Sequence, residues 1–156
     1  MAKKTFARSC GNCTACCKTH EVSEVNSVAG VYCQYCQISK GCSIYEKRPF
    51  PCRKYACAWL HGKGEETHRP DRLKIVMDGF GFNFDGNDMF ILNFWEVEEG
   101  AIYQPGVEQT MVANIQAGNI VVHRPLVGLP TYYFPKGMLS PEDQQRFIHV
   151  VEHESW

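Results

Sequence analysis

Cys10-Gly-Asn-Cys13-Thr-Ala-Cys16-Cys17 opens the stretch that decides how this chain folds, and Cys33, Cys36, Cys42, Cys52 and Cys57 complete it. All nine cysteines of the 156-residue chain lie within its first 57 residues. A disulfide framework calls for a secreted chain and usually an even count. The N-terminal Met-Ala-Lys-Lys-Thr-Phe-Ala-Arg is basic with no apolar segment behind it, so the sequence reads as unsecreted and cytoplasmic. Clustered cysteines in such a chain point to thiolate–metal bonds. Buried apolar cysteines are the plain alternative. Two Cys-x-x-Cys pairs sharing Cys13, a third at Cys33/Cys36, and the adjacent Cys16-Cys17 argue against it.

All nine cysteines are therefore candidate metal ligands, with one of them left over if two four-coordinate ions are bound. The spacing does not pair them. Zinc fits a tetrahedron of thiolates, and copper(I) and iron–sulfur centres accept the same donors, so zinc is favoured over iron only narrowly. Cys10, Cys13 and Cys16 match the first three positions of the bacterial ferredoxin run, but His20 stands where the fourth cysteine belongs. His20 and His61 follow Cys17 and Cys57 by three and four residues and are possible nitrogen ligands, although sulfur already suffices. A leftover thiol beside Arg53 or Lys54 is a candidate reactive cysteine. No paired His/Asn pattern supports protease or transferase chemistry.

Charge divides as the cysteines do. Residues 1–57 hold nine Lys/Arg against three acids, a net +6, while residues 58–156 carry seven against fourteen, a net −7. A basic Cys-rich segment invites a nucleic-acid reading through Lys3, Lys4, Lys47, Arg48, Arg53 and Lys54. Eight thiolates on two divalent ions would lower that +6 to about +2. The basic groups then read better as partners of metal-bound sulfur, and nucleic acid is disfavoured. No stretch approaches the roughly 20 apolar residues of a membrane span, so no membrane partner is expected. Metal ions are the expected partners, and no protein partner is indicated.

With 44% hydrophobic and 21% charged residues the composition is that of a globular chain. The expected fold is α+β, with a Cys-rich, metal-stabilised module over 1–60 and an α+β portion over 61–156, packed as one compact domain. A short helix is predicted over 12–25, because Cys13, Cys16 and Cys17 would share one face. Strands are predicted over 72–78, 80–84 and 89–97, with turns at Asp78-Gly79 and Asp85-Gly86-Asn87, and over 120–123 and 131–134. Helices are predicted over 107–117, ended by Gly118, and from Ser140-Pro141 onward. The sheet is expected to be small and mainly antiparallel, with two or three helices. Asp78, Asp85 and Asp88 read as turn formers, Glu96, Glu98 and Glu99 as a solvated edge, and Tyr45 as a core residue. The alternating aromatics between Phe80 and Trp95 read as strand core.

The combination of Cys10-x-x-Cys13-x-x-Cys16-Cys17 with Gly41-Cys-Ser-Ile-Tyr-Glu-Lys-Arg-Pro-Phe-Pro-Cys52-Arg53 resembles a bacterial cysteine-cluster family, the CxxCxxCC family, described as zinc- or iron-chelating. Cys42, Ile44, Tyr45, Arg48, Pro49, Cys52 and Arg53 fill the family's second block. Cys33, Cys36, Cys57 and Arg69-Pro-Asp-Arg72 look like additions of a subgroup. The resemblance covers about residues 8–60 and implies metal chelation, with no established reaction. Three classes of function follow. The first is a metal-binding protein with a structural, chelating or delivery role. The second is an enzyme that depends on iron or an iron–sulfur cluster. The third is a zinc-stabilised adaptor for protein or nucleic acid.

Overall fold

The computed structural model of the chain describes residues 6–154. Its Cys-rich half is built of short pieces. Helix α1 (Cys16–Thr19) is followed by a 3-10 turn (Ser23–Val25) and by the two-residue strands β1 (Cys36–Gln37) and β2 (Gly41–Cys42). A second 3-10 turn (Tyr45–Lys47) leads into α2 (Phe50–Lys54), whose entry is set by Pro49 and Pro51. A further turn (Glu66–His68) and α3 (Pro70–Leu73) lead to the sheet.

The sheet contains β3 (Ile75–Phe84), β4 (Asn87–Glu96), β5 (Ile120–Arg124) and β6 (Thr131–Tyr133), in that spatial order. β3 and β4 form an antiparallel hairpin closed at Asp85-Gly86, both of which take positive φ (50° and 81°), as a two-residue turn with the right twist requires. β4 and β5 run parallel, joined by a 3-10 turn (Ala101–Tyr103) and helix α4 (Pro105–Gln116); β5 and β6 are antiparallel. Helix α5 (Pro141–Glu154) ends the described chain; Ser140 caps it by accepting the Asp143 amide at 3.1 Å. The protein is thus α+β, its cysteines confined to the N-terminal half.

Strand alternation sorts the core onto two faces. One face places Ile75, Phe94 and Val121 under α4, with Ile102, Val107 and Met111. The other carries Ile91, Ile120, Val122 and Phe84 beneath Phe147 and Val151 of α5. The same second face continues past α5 to Val76, where Ala15, Val97, Cys13, Tyr55, Cys57 and Trp95 pack together. The Cys-rich half and α5 therefore share one side of the sheet.

Three local expectations are corrected. Only Cys16–Thr19 of residues 12–25 is helical, because His20 turns extended (φ −112°, ψ 137°) and its ring reaches Asp78. Asp78-Gly79 makes no turn: β3 runs unbroken through it, with Asp78 on the side facing the Cys-rich half. The Phe90 ring lies over Gly79, where a Cβ would meet it at 2.5 Å and the Ile91 carbonyl oxygen at 3.2 Å, so a larger residue would displace that ring. Glu96 is buried, not a solvated edge; its carboxylate accepts the Ile102 amide at 3.1 Å and lies 3.4 Å from His123, while Glu98 and Glu99 are exposed.

Candidate metal centre

Backbone turns bring the cysteines together. The Cys13 amide donates to the Cys10 carbonyl at 2.9 Å, closing the first Cys-x-x-Cys, and α1 begins at Cys16. The Cys33 amide donates to the Cys17 carbonyl at 3.0 Å, and that of Cys36 to Cys33 at 2.9 Å. The β1–β2 pairing sets Cys36 opposite Cys42. Helix α2 supplies Cys52, and the chain leaving it supplies Cys57. None of the nine is in a disulfide, and all are half-buried.

Eight of them line one cavity of about 180 Å³: Cys10, Cys13, Cys16, Cys17, Cys33, Cys36, Cys42 and Cys52. Cys57 faces a second void of about 20 Å³, which it shares with Cys10, Cys13 and Cys16 and which Trp59, Leu60, Pro70 and Val76 close. The larger cavity holds far more than one atom; the smaller has space for about one. Cys13, Cys16 and Cys10 thus stand between the two.

The electrostatics follow this crowding. Burial pushes the thiols of Cys10, Cys13, Cys52 and Cys57 up, and neighbouring sulfurs push them further. Cys36 is also raised, first by burial and then by the Cys17 sulfur. Cys17 goes the other way: the thiols of Cys16 and Cys36 donate to its sulfur, and the Arg48 guanidinium attracts its charge. Cys16, as the donor, is held well above the usual thiol range by that hydrogen bond and by burial. Backbone amides also point at sulfur, from Ala15 and Asp71 to Cys13 and from Trp59 and Leu60 to Cys57. Such N–H donors favour the thiolate and offset part of the burial.

The wall of the large cavity includes two residues tied to the sheet, His20 and Tyr55. Both meet Asp78: the Tyr55 hydroxyl donates at 2.8 Å and His20 Nε2 lies 3.2 Å away. The same carboxylate accepts from Trp95 Nε1 and from Asn93 Nδ2, each at 2.9 Å. Arg124 Nε then donates to Asn93 Oδ1 at 2.9 Å, and its guanidinium pairs with Glu152 of α5 at 2.9 Å. Burial alone would raise Asp78; the hydrogen bonds and the attraction of His20 outweigh it and hold it below the usual carboxylate value. This hub escapes sequence reasoning, because its partners lie 15 to 58 residues away. The available signal was the phase of Asp78 with Val76, Phe80, Phe82 and Phe84, which puts it on a buried face.

The other singled-out residues divide. His20 lines the cavity, but both ring nitrogens are engaged, Nε2 with Asp78 and Nδ1 with the Thr19 hydroxyl at 2.7 Å. His61 is exposed and packs edge-on against Phe6, away from both cavities. Tyr45 is not core; it is half exposed at the cavity wall with the Arg48 guanidinium 3.6 Å above its ring. Lys47, Arg53 and Lys54 are exposed, and Lys3 and Lys4 lie outside the described residues. Arg69 clamps Asp71 through two 2.6 Å hydrogen bonds and donates to Asn12 at 2.9 Å, pinning the first cysteine loop. Asp85 sits in a turn as expected, whereas Asp88 is not a turn residue: it lies in β4 opposite Asn83, whose Nδ2 donates to it at 2.7 Å.

The donor chemistry suits a thiophilic metal, since so many thiols face two adjoining voids. As placed, however, no group of three or more His, Cys, Asp or Glu side chains among the described residues is arranged to hold a metal ion. The thiols meet one another in hydrogen-bonded contacts instead. No helix among the described residues is long and apolar enough to cross a membrane. No protein-family model, curated protein or solved structure matches the chain.

Proposed function

We propose that this is a metal-binding protein whose clustered thiolates take up zinc, with a structural or chelating role. The observation that carries the reading is the lining of the two voids. Cys10, Cys13, Cys16 and Cys57 surround a space of about one atom, the number of ligands a closed zinc site uses. Cys17, Cys33, Cys36, Cys42 and Cys52 remain around the larger cavity and supply a second site. Rotation about χ1 carries each sulfur between staggered positions, and closing either site requires the thiols to turn inward from where they now stand. The backbone amides aimed at Cys13 and Cys57 and the Arg48 charge near Cys17 would stabilise bound thiolates. The size of the larger cavity favours one second reading, an iron–sulfur cluster in place of a second zinc ion.

Titration of the reduced chain with cobalt(II), without oxygen, tests the proposal. Sulfur-to-cobalt charge-transfer absorption is expected to grow and then to collapse as zinc displaces the cobalt. Cys57→Ser is expected to remove part of the signal and Cys33→Ser a different part, because the two belong to different sites. Affinity is expected to rise with pH through the neutral range, since buried thiols must release protons to bind. Absence of any charge-transfer absorption at several-fold excess cobalt would overturn the reading.

A further inference from the structure

A second set of metal donors lies on the helix that packs against the far part of the same sheet face. Along α5, Phe147 and Val151 are fully buried under the sheet. Helical periodicity turns His149 and His153 away from that contact, and both are exposed. They stand four residues apart, one turn, and their rings lie 4.6 Å apart between centroids, tilted by 47°. Two imidazoles at this spacing can bind one ion as a chelate from a single helix face. The local sequence, His149-Val-Val-Glu152-His153, is the His-x-x-Glu-His order of zinc-binding helices.

Glu152 decides what such a site can do. Its carboxylate is committed elsewhere: Arg124 pairs with it at 2.9 Å and the Tyr132 hydroxyl donates to it. A carboxylate held by a guanidinium and a phenol on the sheet side is not placed to activate water at an ion between the two imidazoles. The geometry points to His149 and His153 as a two-imidazole site for a divalent transition ion (copper(II), nickel(II) or zinc), a chelate without hydrolytic machinery. The ligand type selects these ions over calcium or magnesium. With two protein ligands, the remaining coordination positions fall to water, which makes the ion exchangeable. Binding there bridges the last two turns of α5 on the face opposite Val151 and Glu152, which hold the helix to the sheet.

The test uses the full chain, its thiols first saturated with zinc, and follows histidine ring signals by NMR as further zinc is added. His149 and His153 are expected to shift together along one binding curve while the other four histidines stay unmoved. In His149→Gln or His153→Gln, the remaining ring is expected to bind at least about tenfold more weakly, because the second contact is no longer intramolecular. Both positions are exposed, so the variants should keep the wild-type fold, and their backbone spectra check this. The readout is on imidazoles, so it stands whether or not the cysteines hold metal. The site is refuted if both rings stay unmoved at millimolar zinc, or if each binds equally well in the other's variant.

Discussion

Removing metal from the proposed cysteine sites is expected to unfold the Cys-rich half while β4 and β5 stay folded. Beyond the Asp78 contacts of His20 and Tyr55 and the cluster on Val76, that half has little else to hold it. Its helices are four and five residues long and its strands two. Pieces this short are not stable alone. Among residues 6–60, the buried apolar side chains are Ala15, Trp59 and Leu60. By contrast β3 and β4 pair over ten positions, and α4 and α5 cover both faces of the sheet. Structural zinc contributes on the order of 10–16 kcal/mol in small finger peptides, so a loss of several kcal/mol here is in scale. Hydrogen exchange before and after chelation, under reducing conditions, measures it. Amides such as those of Cys13, Cys33 and Cys36 should lose their protection, while Phe94 and Val121 keep theirs. Unchanged protection across residues 10–57 of a protein shown to have lost its metal would contradict this.

Replacing Asp78 by Ala is the point substitution with the largest expected effect, about 3–5 kcal/mol. It strips a common acceptor from Tyr55, Trp95, Asn93 and His20. Asn93 keeps Arg124 on its other end, but the Tyr55 hydroxyl and the Trp95 indole N–H are left without this partner. Asp78→Asn keeps the shape but turns an amide N–H towards one of the donors, so it too destabilises. The pH dependence has a definite sign. The Asp78 carboxyl is held below its ordinary value of 3.8, so its contribution is present above that value and is lost as pH falls through the lower folded one. Urea midpoints at neutral and acid pH test both statements: the gap between wild type and Asp78→Asn should close as the solution becomes acidic. A neutral-pH midpoint unchanged in Asp78→Ala would remove Asp78 from the centre of the fold.

Much of the architecture is legible locally because it is made locally. Asp85-Gly86 between alternating apolar residues gives a hairpin, Pro141 stands at the first helical position of α5, and Gly118 follows the end of α4, whose start lies at Pro105, two residues before the predicted one. The Asp78-Gly79 pair looks the same in sequence and behaves differently. What separates the two is distant: Asp85 has solvent and Arg146, whereas Asp78 has four donors from other elements. Glu96 is half such a case: His123 becomes its neighbour only once α4 crosses over to β5, whereas the Ile102 amide is six residues on in the turn before α4. The nine cysteines are plain in sequence as a set. How they divide is not, because Cys57 joins Cys10, Cys13 and Cys16 only when the chain leaving α2 comes back alongside β3, with the Ala58 amide bonded to the Met77 carbonyl at 2.7 Å.

The metal content of the protein, purified without oxygen or chelator, is the most direct measurement of the central claim. Elemental analysis is predicted to give about two zinc ions per chain, bound in proportion to folded protein. A chain that is cooperatively folded and contains neither zinc nor iron would contradict the account.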